Sequence, residues 1–256
     1  MIKKIISLSL RTIPRKYLQL ISHFIIQNTV IFYKGNNVNC PICEKSFRKF
    51  LPYGRIPRNN ALCPSCLALE RHRVLWLYLK TGTNFFTEKL KMLHIAPEIC
   101  FIARFKKMPN LDYITGDIES PLADIEMDIH NIPFNDDTFD VIFCNHVLEH
   151  VKNDILAMEE IKRVLKPGGW AILQIPLFYP LSETTYEDDS IINPKDRERE
   201  FGQDDHVRMY GKDFSQRIQR AGLKSEQINW VENQDQNYVE RYALPLNEII
   251  FRATKQ

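Results

Sequence analysis

Short apolar runs alternate with segments of helical periodicity from about residue 90 to the end of the chain. The apolar runs predict strands at Lys91–Ala96, Asp112–Thr115, Ile125–Asp128, Phe139–Cys144, Trp170–Ile175, Ser225–Val231 and Asn247–Ala253. The periodic segments predict helices at Ile99–Lys107, Asp154–Leu165 and Phe214–Ala221, with Lys166–Gly169 ending the second. Strands that alternate with helices favour a doubly wound, mainly parallel sheet, so we predict an α/β fold.

Two Cys-x-x-Cys pairs precede this region, and 19 residues separate Cys43 of the first from Cys63 of the second. Two thiolates from one tight turn can bind one metal ion, and a second such turn completes the tetrahedral shell that Zn²⁺ prefers. Cys40, Cys43, Cys63 and Cys66 are therefore predicted zinc ligands. Four protein ligands leave no open coordination position, so this zinc is predicted to be structural. The alternative is a set of buried free cysteines or redox pairs, for which both spacings would be accidental.

The predicted domains follow from these two features. Residues 1–34 form a basic, amphipathic helical segment, residues 35–72 the small zinc-binding module, and residues 73–256 the α/β domain. Within the last, the polar stretch 177–210 is predicted to pass over the carboxyl edge of the sheet. Residues 1–33 are compatible with a helix lying on an anionic membrane surface, but a helix packed on the main domain is favoured.

The overall composition excludes several classes of protein. Hydrophobic residues make up 44% of the chain, so it is globular rather than disordered, and six cysteines are too few for a disulfide scaffold. A net charge of +2 does not indicate a dedicated nucleic-acid binder. No apolar stretch approaches the roughly 18 residues of a membrane span. The N-terminus begins like a signal peptide, but Arg11 follows a short apolar run, so we predict a cytoplasmic protein with no transmembrane segment.

One continuous stretch carries a family pattern. Asp128–His150 contains an acidic residue, a Pro-Phe pair, a Phe-Asp strand and a His-x-Leu-Glu-His element, and Glu160–Gly169 then ends in Leu-Lys-Pro-Gly-Gly. In these residues the chain resembles the class I S-adenosylmethionine (SAM) dependent methyltransferases of type 11, and the resemblance extends from about residue 90 to residue 253. It implies a Rossmann-like sheet with SAM as the cofactor, preceded here by the zinc-ribbon-like module that the cysteine spacing predicts.

The resemblance implies cofactor contacts beyond the ends of the strands. Asp117 is expected to accept the two ribose hydroxyls, Asp128 to accept from the adenine amino group, and Ile129 to flank the ring. Asn145 and His146 are expected to face the cleft where the methyl group is presented. The alternative for either aspartate is a turn residue at the end of a strand.

The loop after the first strand departs from the family pattern, which has an acidic residue and then a glycine-rich turn. Here His94 stands at the acidic position, and Ala96, Pro97 and Glu98 stand where the glycines are expected. We predict that His94, Ala96 and Glu98 contact the cofactor, with Glu98 near the methionine ammonium. The missing glycines also favour a non-catalytic scaffold as an alternative.

The acceptor side requires a base and a pocket. Candidate bases are His146, His150 and His206, and the first two are predicted to share one face at the start of a helix. Glu187, Arg208 and Tyr210 of the polar stretch are predicted to bind the acceptor, with Arg208 at an anionic or hydroxyl-rich group. A surface loop with salt bridges is the alternative.

These expectations favour a SAM-dependent methyltransferase that modifies an oxygen or nitrogen of a small molecule, such as a sugar or other metabolite. One alternative is an RNA methyltransferase whose zinc module grips RNA. Its basic residues could contact phosphates or form an ordinary solvated surface, and they are Lys45, Arg48, Lys49, Arg55, Arg58, Arg71 and Arg73. Another is a non-catalytic, methyltransferase-like scaffold. Cys144-Asn-His-Val after the fourth strand lacks the Asn/Asp-Pro-Pro-Tyr element, which disfavours amino methylation of a base.

Overall fold

The structure is a computed structural model that describes residues 30–256. Its strands are β1 (Lys34–Cys40), β2 (Lys45–Phe47), β3 (Leu51–Tyr53), β4 (Arg58–Leu62), β5 (Leu90–Ile95), β6 (Leu111–Asp117), β7 (Ile125–Glu126), β8 (Phe139–Asn145), β9 (Leu165–Gln174), β10 (Tyr186–Glu187), β11 (Arg208–Met209), β12 (Lys224–Ile228) and β13 (Ile250–Thr254). Its helices are α1 (Glu70–Gly82), α2 (Ile99–Phe105), α3 (Asp154–Val164), α4 (Pro194–Phe201), α5 (Phe214–Arg220) and α6 (Gln236–Tyr242). Short 3-10 helices lie at Val30–Tyr33 and Trp230–Asn233.

The described residues divide into two compact units. The first contains residues 30–84, Glu98–Arg104 and Trp230–Glu248, and the second contains Phe85–Pro97, Phe105–Asn229 and Ile249–Gln256. The first unit holds two antiparallel hairpins, β1–β2 and β3–β4, together with α1 and α6. The predicted boundaries at residues 34 and 72 stay a prediction, and α1 runs across the second of them.

The second unit is built on a seven-stranded sheet in the order β12-β13-β9-β8-β5-β6-β7. Only β13 runs antiparallel to its neighbours in this sheet, while the β9, β8, β5, β6 and β7 pairs are all parallel. The predicted doubly wound, mainly parallel α/β fold is confirmed. From β5 the chain first builds β6 and β7 on one side and then returns to build β8 and β9 on the other. The strand order therefore reverses between β5 and β8.

The central strands are buried on both faces, which explains their continuous apolar sequences. On one face, side chains such as Leu93, Ile142 and Leu173 pack with Met158 and Ile161 of α3 in a single apolar core. Phe85, Phe105, Phe143 and Trp170 form a separate aromatic cluster with edge-to-face and stacked contacts. This packing fixes the strand ends, from which the functional loops emerge.

Polar segments account for the elements that the sequence patterns miss. Helices α4 and α6 lack an apolar stripe, but each has a side-chain cap, Asn193 accepting from the Lys195 amide and Asp235 from the Tyr238 amide. The predicted end of the helix before Lys166–Gly169 is confirmed, because α3 ends at Val164, and these four residues already belong to β9. The third predicted strand is shorter than expected and ends at Glu126, so Asp128 lies in the loop beyond it.

The amphipathic segment predicted at residues 1–34, with its proposed membrane contact through residues 1–33, lies almost entirely outside the described residues. Within residues 30–256, every helix is too short or too polar to cross a bilayer.

Candidate functional site

Four cysteine side chains converge in the first unit. The Sγ atoms of Cys40 and Cys66 are 3.5 Å apart, those of Cys43 and Cys63 are 3.7 Å apart, and all four lie within 4.8 Å of one another. None of the described cysteines forms a disulfide. A tetrahedral zinc with Zn–S bonds of about 2.3 Å places its sulfur atoms roughly 3.8 Å apart, so the four thiols fit this ion.

The two cysteine pairs lie in separate backbone turns that have the same geometry. Glu44 and Leu67, each directly after the second cysteine of a pair, both have a left-handed φ, of 59° and 60°. Their amides donate to the carbonyls of Cys40 and Cys63 at 2.8 and 3.0 Å. These matched turns point both thiols of a pair to one side, as a shared metal ion requires.

Arg73 supports this module from inside. It is fully buried, and its guanidinium lies 4.3 Å from the centre of the Phe50 ring. Its donors reach the backbone carbonyls of Asn60, Ala61, Ala68, Tyr242 and Ala243. Arg73 therefore contributes nothing to the basic surface on which the sequence placed it, and it joins the second hairpin to the loop after α6.

Two strained residues mark the carboxyl edge of the sheet in the second unit. Ala96 follows β5 with a φ of 50°, and His146 follows β8 with a φ of 55°, so both adopt the left-handed conformation that favours glycine. The Ala96 amide donates to the Gly116 carbonyl at 2.9 Å, and the His146 amide donates to the Gln174 carbonyl at 2.8 Å. They flank the point where the strand order reverses, which is where open parallel sheets bind ligands.

The two predicted cofactor aspartates follow the neighbouring strands. Oδ1 of Asp117, the last residue of β6, accepts from the amides of Glu119 and Ser120 at 2.8 and 2.7 Å. Asp128 is exposed, and its Oδ1 accepts from the amide and Nδ1 of His130 at 2.9 and 2.7 Å. The amide of His130 lowers the pKa of Asp128. Each carboxylate is thus oriented by its own loop.

The other predicted cofactor residues differ in accessibility. His94 is completely buried with Nδ1 2.9 Å from the Tyr113 hydroxyl, and Ile129 is part of the apolar core. Both are packing residues in this structure. Asn145 ends β8 at the carboxyl edge and is nearly buried. Glu98 belongs to the first unit, where Oε1 lies 3.7 Å from Nε2 of His72.

The His-x-Leu-Glu-His element forms a turn, so the prediction that His146 and His150 share one face of a helix is wrong. Helix α3 begins only at Asp154, where Asn153 caps the amide of Leu156. Within the turn, Glu149 is 1% exposed, and its Oε1 lies 3.2 Å from Nδ1 of His146. Burial raises the pKa of Glu149, but hydrogen bonding and charge from His146 outweigh it, so the pKa is lowered.

His206 lies beside this turn. It is fully buried, its ring meets that of His150 edge-on with centroids 4.8 Å apart, and its Nδ1 lies 3.0 Å from the Phe201 carbonyl. Burial lowers the pKa of His206. One ligand atom each from Glu149, His150 and His206 lies within 4.8 Å of the others. The structure therefore brings together two of the predicted bases.

Arg208 and Glu187 position this cluster. Arg208 forms an ion pair with Glu187, and its remaining donors reach the carbonyls of Leu148, Val151 and Lys152. These carbonyls belong to the turn that carries Glu149 and His150. Four of the five N–H donors of Arg208 are bound within the chain and its side chain is 3% exposed, which does not favour the predicted role at an anionic acceptor group.

A second buried ion pair anchors the polar stretch below Arg208. Asp154 accepts from Arg217 at 2.8 and 2.6 Å and from the Tyr210 hydroxyl at 2.9 Å, and Arg217 also donates to Glu187 at 2.9 Å. Burial raises the pKa of Tyr210 well above its ordinary value. Tyr210 and Glu187 thus tie the predicted acceptor segment to Asp154, Arg208 and Arg217.

Comparison with known proteins matches residues 81–173 to a family model described as a methyltransferase domain. This range runs from the end of α1 through β9, and so includes both strained residues, both aspartates and the His-x-Leu-Glu-His turn. Over these residues the chain is similar to methyltransferase domains. The predicted resemblance to SAM-dependent methyltransferases is confirmed over this part of the chain.

Individual relatives match this chain over short stretches. An uncharacterised methyltransferase of Schizosaccharomyces pombe is 45% identical over 42 residues, which is 16% of this chain and 15% of that protein. The tRNA U34 carboxymethyltransferase of Nautilia profundicola is 40% identical over 77 residues, which is 30% of this chain and 24% of that protein. The chain thus spans less than a quarter of the length of these curated relatives.

Among solved structures, a SAM-dependent methyltransferase from Mesorhizobium loti has a TM-score of 0.49 and 13% identity, covering 70% of this chain and 97% of that one. The family match ends at residue 173, before His206, Arg208 and Tyr210 of the polar stretch.

Sequence reasoning missed Arg73, Asp154 and Arg217 as organising residues. Asp154 at a helix start and an arginine within a helix both look like solvent-facing residues in a sequence, and Arg73 is surrounded by other basic residues. The one available signal was the density of charge in residues 183–217 around buried aromatic positions, since buried charges require partners.

Proposed function

We propose that this protein is a SAM-dependent methyltransferase that modifies an oxygen or nitrogen of a small molecule such as a sugar or other metabolite. The observation that carries the proposal is the pair of strained residues, Ala96 and His146, on either side of the point where the strand order reverses. Backbone strain of this kind is concentrated at functional sites, and this is the position at which open α/β sheets bind nucleotides.

The cofactor would lie across the ends of β5, β6 and β8. Two backbone amides orient Asp117 by donating to its Oδ1. A carboxylate in this position is the natural acceptor for the two hydroxyls of a ribose. Asp128 is ionised and exposed in the next loop, and is proposed to accept from the adenine amino group. Ala96 supports this assignment because its left-handed φ preserves the turn that glycine normally provides.

Methyl transfer is an in-line displacement at the methyl carbon, so the acceptor atom must face the SAM sulfonium across the cleft. His146 follows β8 directly, and His150 with His206 lies beside it, so these three side chains are the proposed sources of a base. The buried ion pairs of Asp154, Arg208 and Arg217 give this wall of the cleft a fixed shape, which suits a small acceptor.

RNA is the second candidate acceptor, and two observations favour it. A relative is a tRNA carboxymethyltransferase, and Lys45, Arg48, Lys49 and Arg55 of the first unit are exposed. Such a basic surface would bind phosphates with a strong dependence on salt. Methylation of RNA that persists at low salt and is lost in Lys45→Glu/Lys49→Glu chains would favour this acceptor over a metabolite.

The zinc ion is proposed as a structural part of the first unit. The matched turns and sulfur distances support it, and its four thiolates would close the coordination shell. Thiols stay available for a metal in a reducing compartment, which is consistent with a cytoplasmic enzyme.

Calorimetric titration of SAM into the full chain tests the proposal. Asp117→Asn keeps one oxygen for the two loop amides but removes the carboxylate, and should weaken SAM binding about 10- to 100-fold, as expected for a charged hydrogen bond. Asp112→Asn is the matched control, because Asp112 is an exposed residue of the same strand. Absence of SAM binding to the unaltered chain at millimolar concentration would instead favour the non-catalytic scaffold.

A further inference from the structure

The cluster of Glu149, His150 and His206 has the composition of a metal site distinct from the four cysteines. One ligand atom from each of the three side chains lies within 4.8 Å of the other two. We propose that these residues bind a divalent transition-metal ion, such as Zn²⁺, Mn²⁺ or Fe²⁺, at the carboxyl edge of the sheet.

His206 is prepared as a ligand. Its Nδ1 lies 3.0 Å from the Phe201 carbonyl, and because a carbonyl can only accept, Nδ1 carries the proton and Nε2 the free electron pair. His206 is 0% exposed, and Nε2 makes no hydrogen bond to any residue of the described part of the chain. A buried acceptor without a partner is costly, and a metal ion at Nε2 removes that cost. A carbonyl behind the other ring nitrogen is also the usual support of a metal-bound histidine.

Glu149 supplies the carboxylate, and like His206 it has one polar atom held by the protein and another without a hydrogen bond to the described residues. One oxygen, Oε1, lies 3.2 Å from Nδ1 of His146, and the other, Oε2, is buried and makes no hydrogen bond within residues 30–256. The carboxylate is thus held on one side and open on the other. His146 is the hydrogen-bond partner that fixes the orientation of the Glu149 carboxylate, as such partners do for metal-binding carboxylates.

His150 gives the site access to solvent. Its side chain is 33% exposed, and its Nδ1 lies 3.3 Å from the carbonyl of Asp205. A proton on Nδ1 shared with that carbonyl leaves Nε2 as the second imidazole ligand. The partial exposure provides the entry path that the buried Glu149 and His206 lack.

The two segments that carry the ligands are locked together before any metal arrives. The Val207 amide donates to the Glu149 carbonyl at 2.9 Å, and Arg208 holds the carbonyls of Leu148 and Val151. Since ligand positions are fixed by these buried contacts, little ordering remains to be done on binding.

Two imidazoles and one carboxylate suit zinc, manganese and iron better than magnesium or calcium, which prefer oxygen ligands. Three protein ligands leave coordination positions open, in contrast to the closed shell of four cysteines. On the proposed function, His150 and His206 would be ligands rather than the base, and the open position would take the acceptor hydroxyl and lower its pKa. The hydroxyl proton would pass to water, the oxygen would form the bond to the methyl carbon, and the sulfonium sulfur would keep the electrons of the broken C–S bond.

Metal content of the full chain tests the site. After exposure to excess Zn²⁺ and removal of unbound ion, elemental analysis should find two zinc ions per chain in the unaltered protein and one in His206→Ala. His130→Ala is the control, because His130 lies in the same unit outside the cluster, and it should keep two. One zinc ion in the unaltered chain, or two in a folded His206→Ala chain, would overturn the proposal.

Cobalt substitution gives a test that needs no variant. With Co²⁺ as the only metal, the cysteine site should show thiolate-to-cobalt charge transfer, and a second equivalent should add only weak ligand-field absorption, as imidazole and carboxylate ligands produce. Saturation at one equivalent would contradict the site. Calorimetry with SAM on the same samples separates the two proposals, because a second metal without SAM binding would refute the function and leave the site standing.

Discussion

The cysteine cluster of the first unit and the Glu149–His150–His206 cluster of the second unit are assembled in opposite ways. The cysteines come from two short turns with the same local geometry, so their spacing alone identifies them. The second cluster joins a turn after β8 to a residue 56 positions further on, and buried arginine contacts hold the two together. The comparison indicates that a cluster built from short turns can be recognised in the sequence, whereas a cluster drawn from distant segments depends on long-range packing.

The largest expected effect on stability comes from removing a cysteine ligand, and it should leave the second unit unchanged. Cys63→Ser should abolish the cysteine metal site and unfold the hairpins around it, because a structural zinc contributes about 10 kcal/mol or more of folding free energy in small zinc modules. Hydrogen exchange should become fast across residues 37–70, while calorimetric affinity for SAM stays near that of the unaltered chain. Ser65→Ala, in the same turn, is the control. Loss of SAM binding together with the metal would contradict the independence of the two clusters.

The next effect concerns the buried anchor of the second cluster. Asp154→Asn leaves the buried Arg217 with Glu187 as its remaining charge partner, and should lower the free energy of unfolding by about 3 kcal/mol, the lower end of the range for a broken buried ion pair. Urea denaturation measures it, and Asp189→Asn, at a position outside this network, should change it by less than about 0.5 kcal/mol. A small effect at Asp154 would mean that the polar stretch is held mainly by apolar packing.

The same carboxylate predicts a dependence on pH. Burial raises the pKa of Asp154, but the hydrogen bond and charge of Arg217 outweigh it, so the folded-state pKa is lowered. The unfolded state therefore binds more protons in acid, and this stability is complete above the ordinary aspartate pKa of about 4 and lost as the pH falls below it. Unfolding free energies measured from pH 7 to pH 3 should fall more steeply in the unaltered chain than in Asp154→Asn. Equal slopes would contradict the assignment.

The smallest effect tests strain at the carboxyl edge. Ala96→Gly relieves a left-handed φ and should raise the free energy of unfolding by about 1 kcal/mol. Ala103→Gly, at an exposed position within α2, should lower it by about 0.5–1 kcal/mol, because glycine destabilises helices. Thermal denaturation of both variants compares the signs of the two changes in stability. Destabilisation by Ala96→Gly would show that Ala96 is not strained.

Apolar periodicity predicted most of the large sheet and its helices, because the central strands are buried on both faces and leave a continuous signal. The cysteine cluster was equally visible, since both pairs lie within turns of four residues. Helices α4 and α6 were missed because capping and tertiary contacts, rather than an apolar stripe, define them.

The site was only partly predictable for a related reason. Asp117, Ala96 and His146 were identified from their places after strands, and the structure puts them at one edge. The expectations for Arg208 and Tyr210 placed them at an acceptor, whereas both are buried and bound to the protein. Charge and residue type suggest that a side chain needs a partner, but only the packing decides whether that partner is a ligand or the chain itself.

The central claim is that SAM binds across the ends of β5, β6 and β8 in the second unit. Hydrogen exchange of the full chain with and without saturating SAM tests it most directly. We expect slower exchange in the loops that begin at Ala96, Asp117, Asp128 and Asn145, with no change across residues 37–70. Protection confined to the cysteine module, or no protection at any of the four loops at saturating SAM, would contradict it.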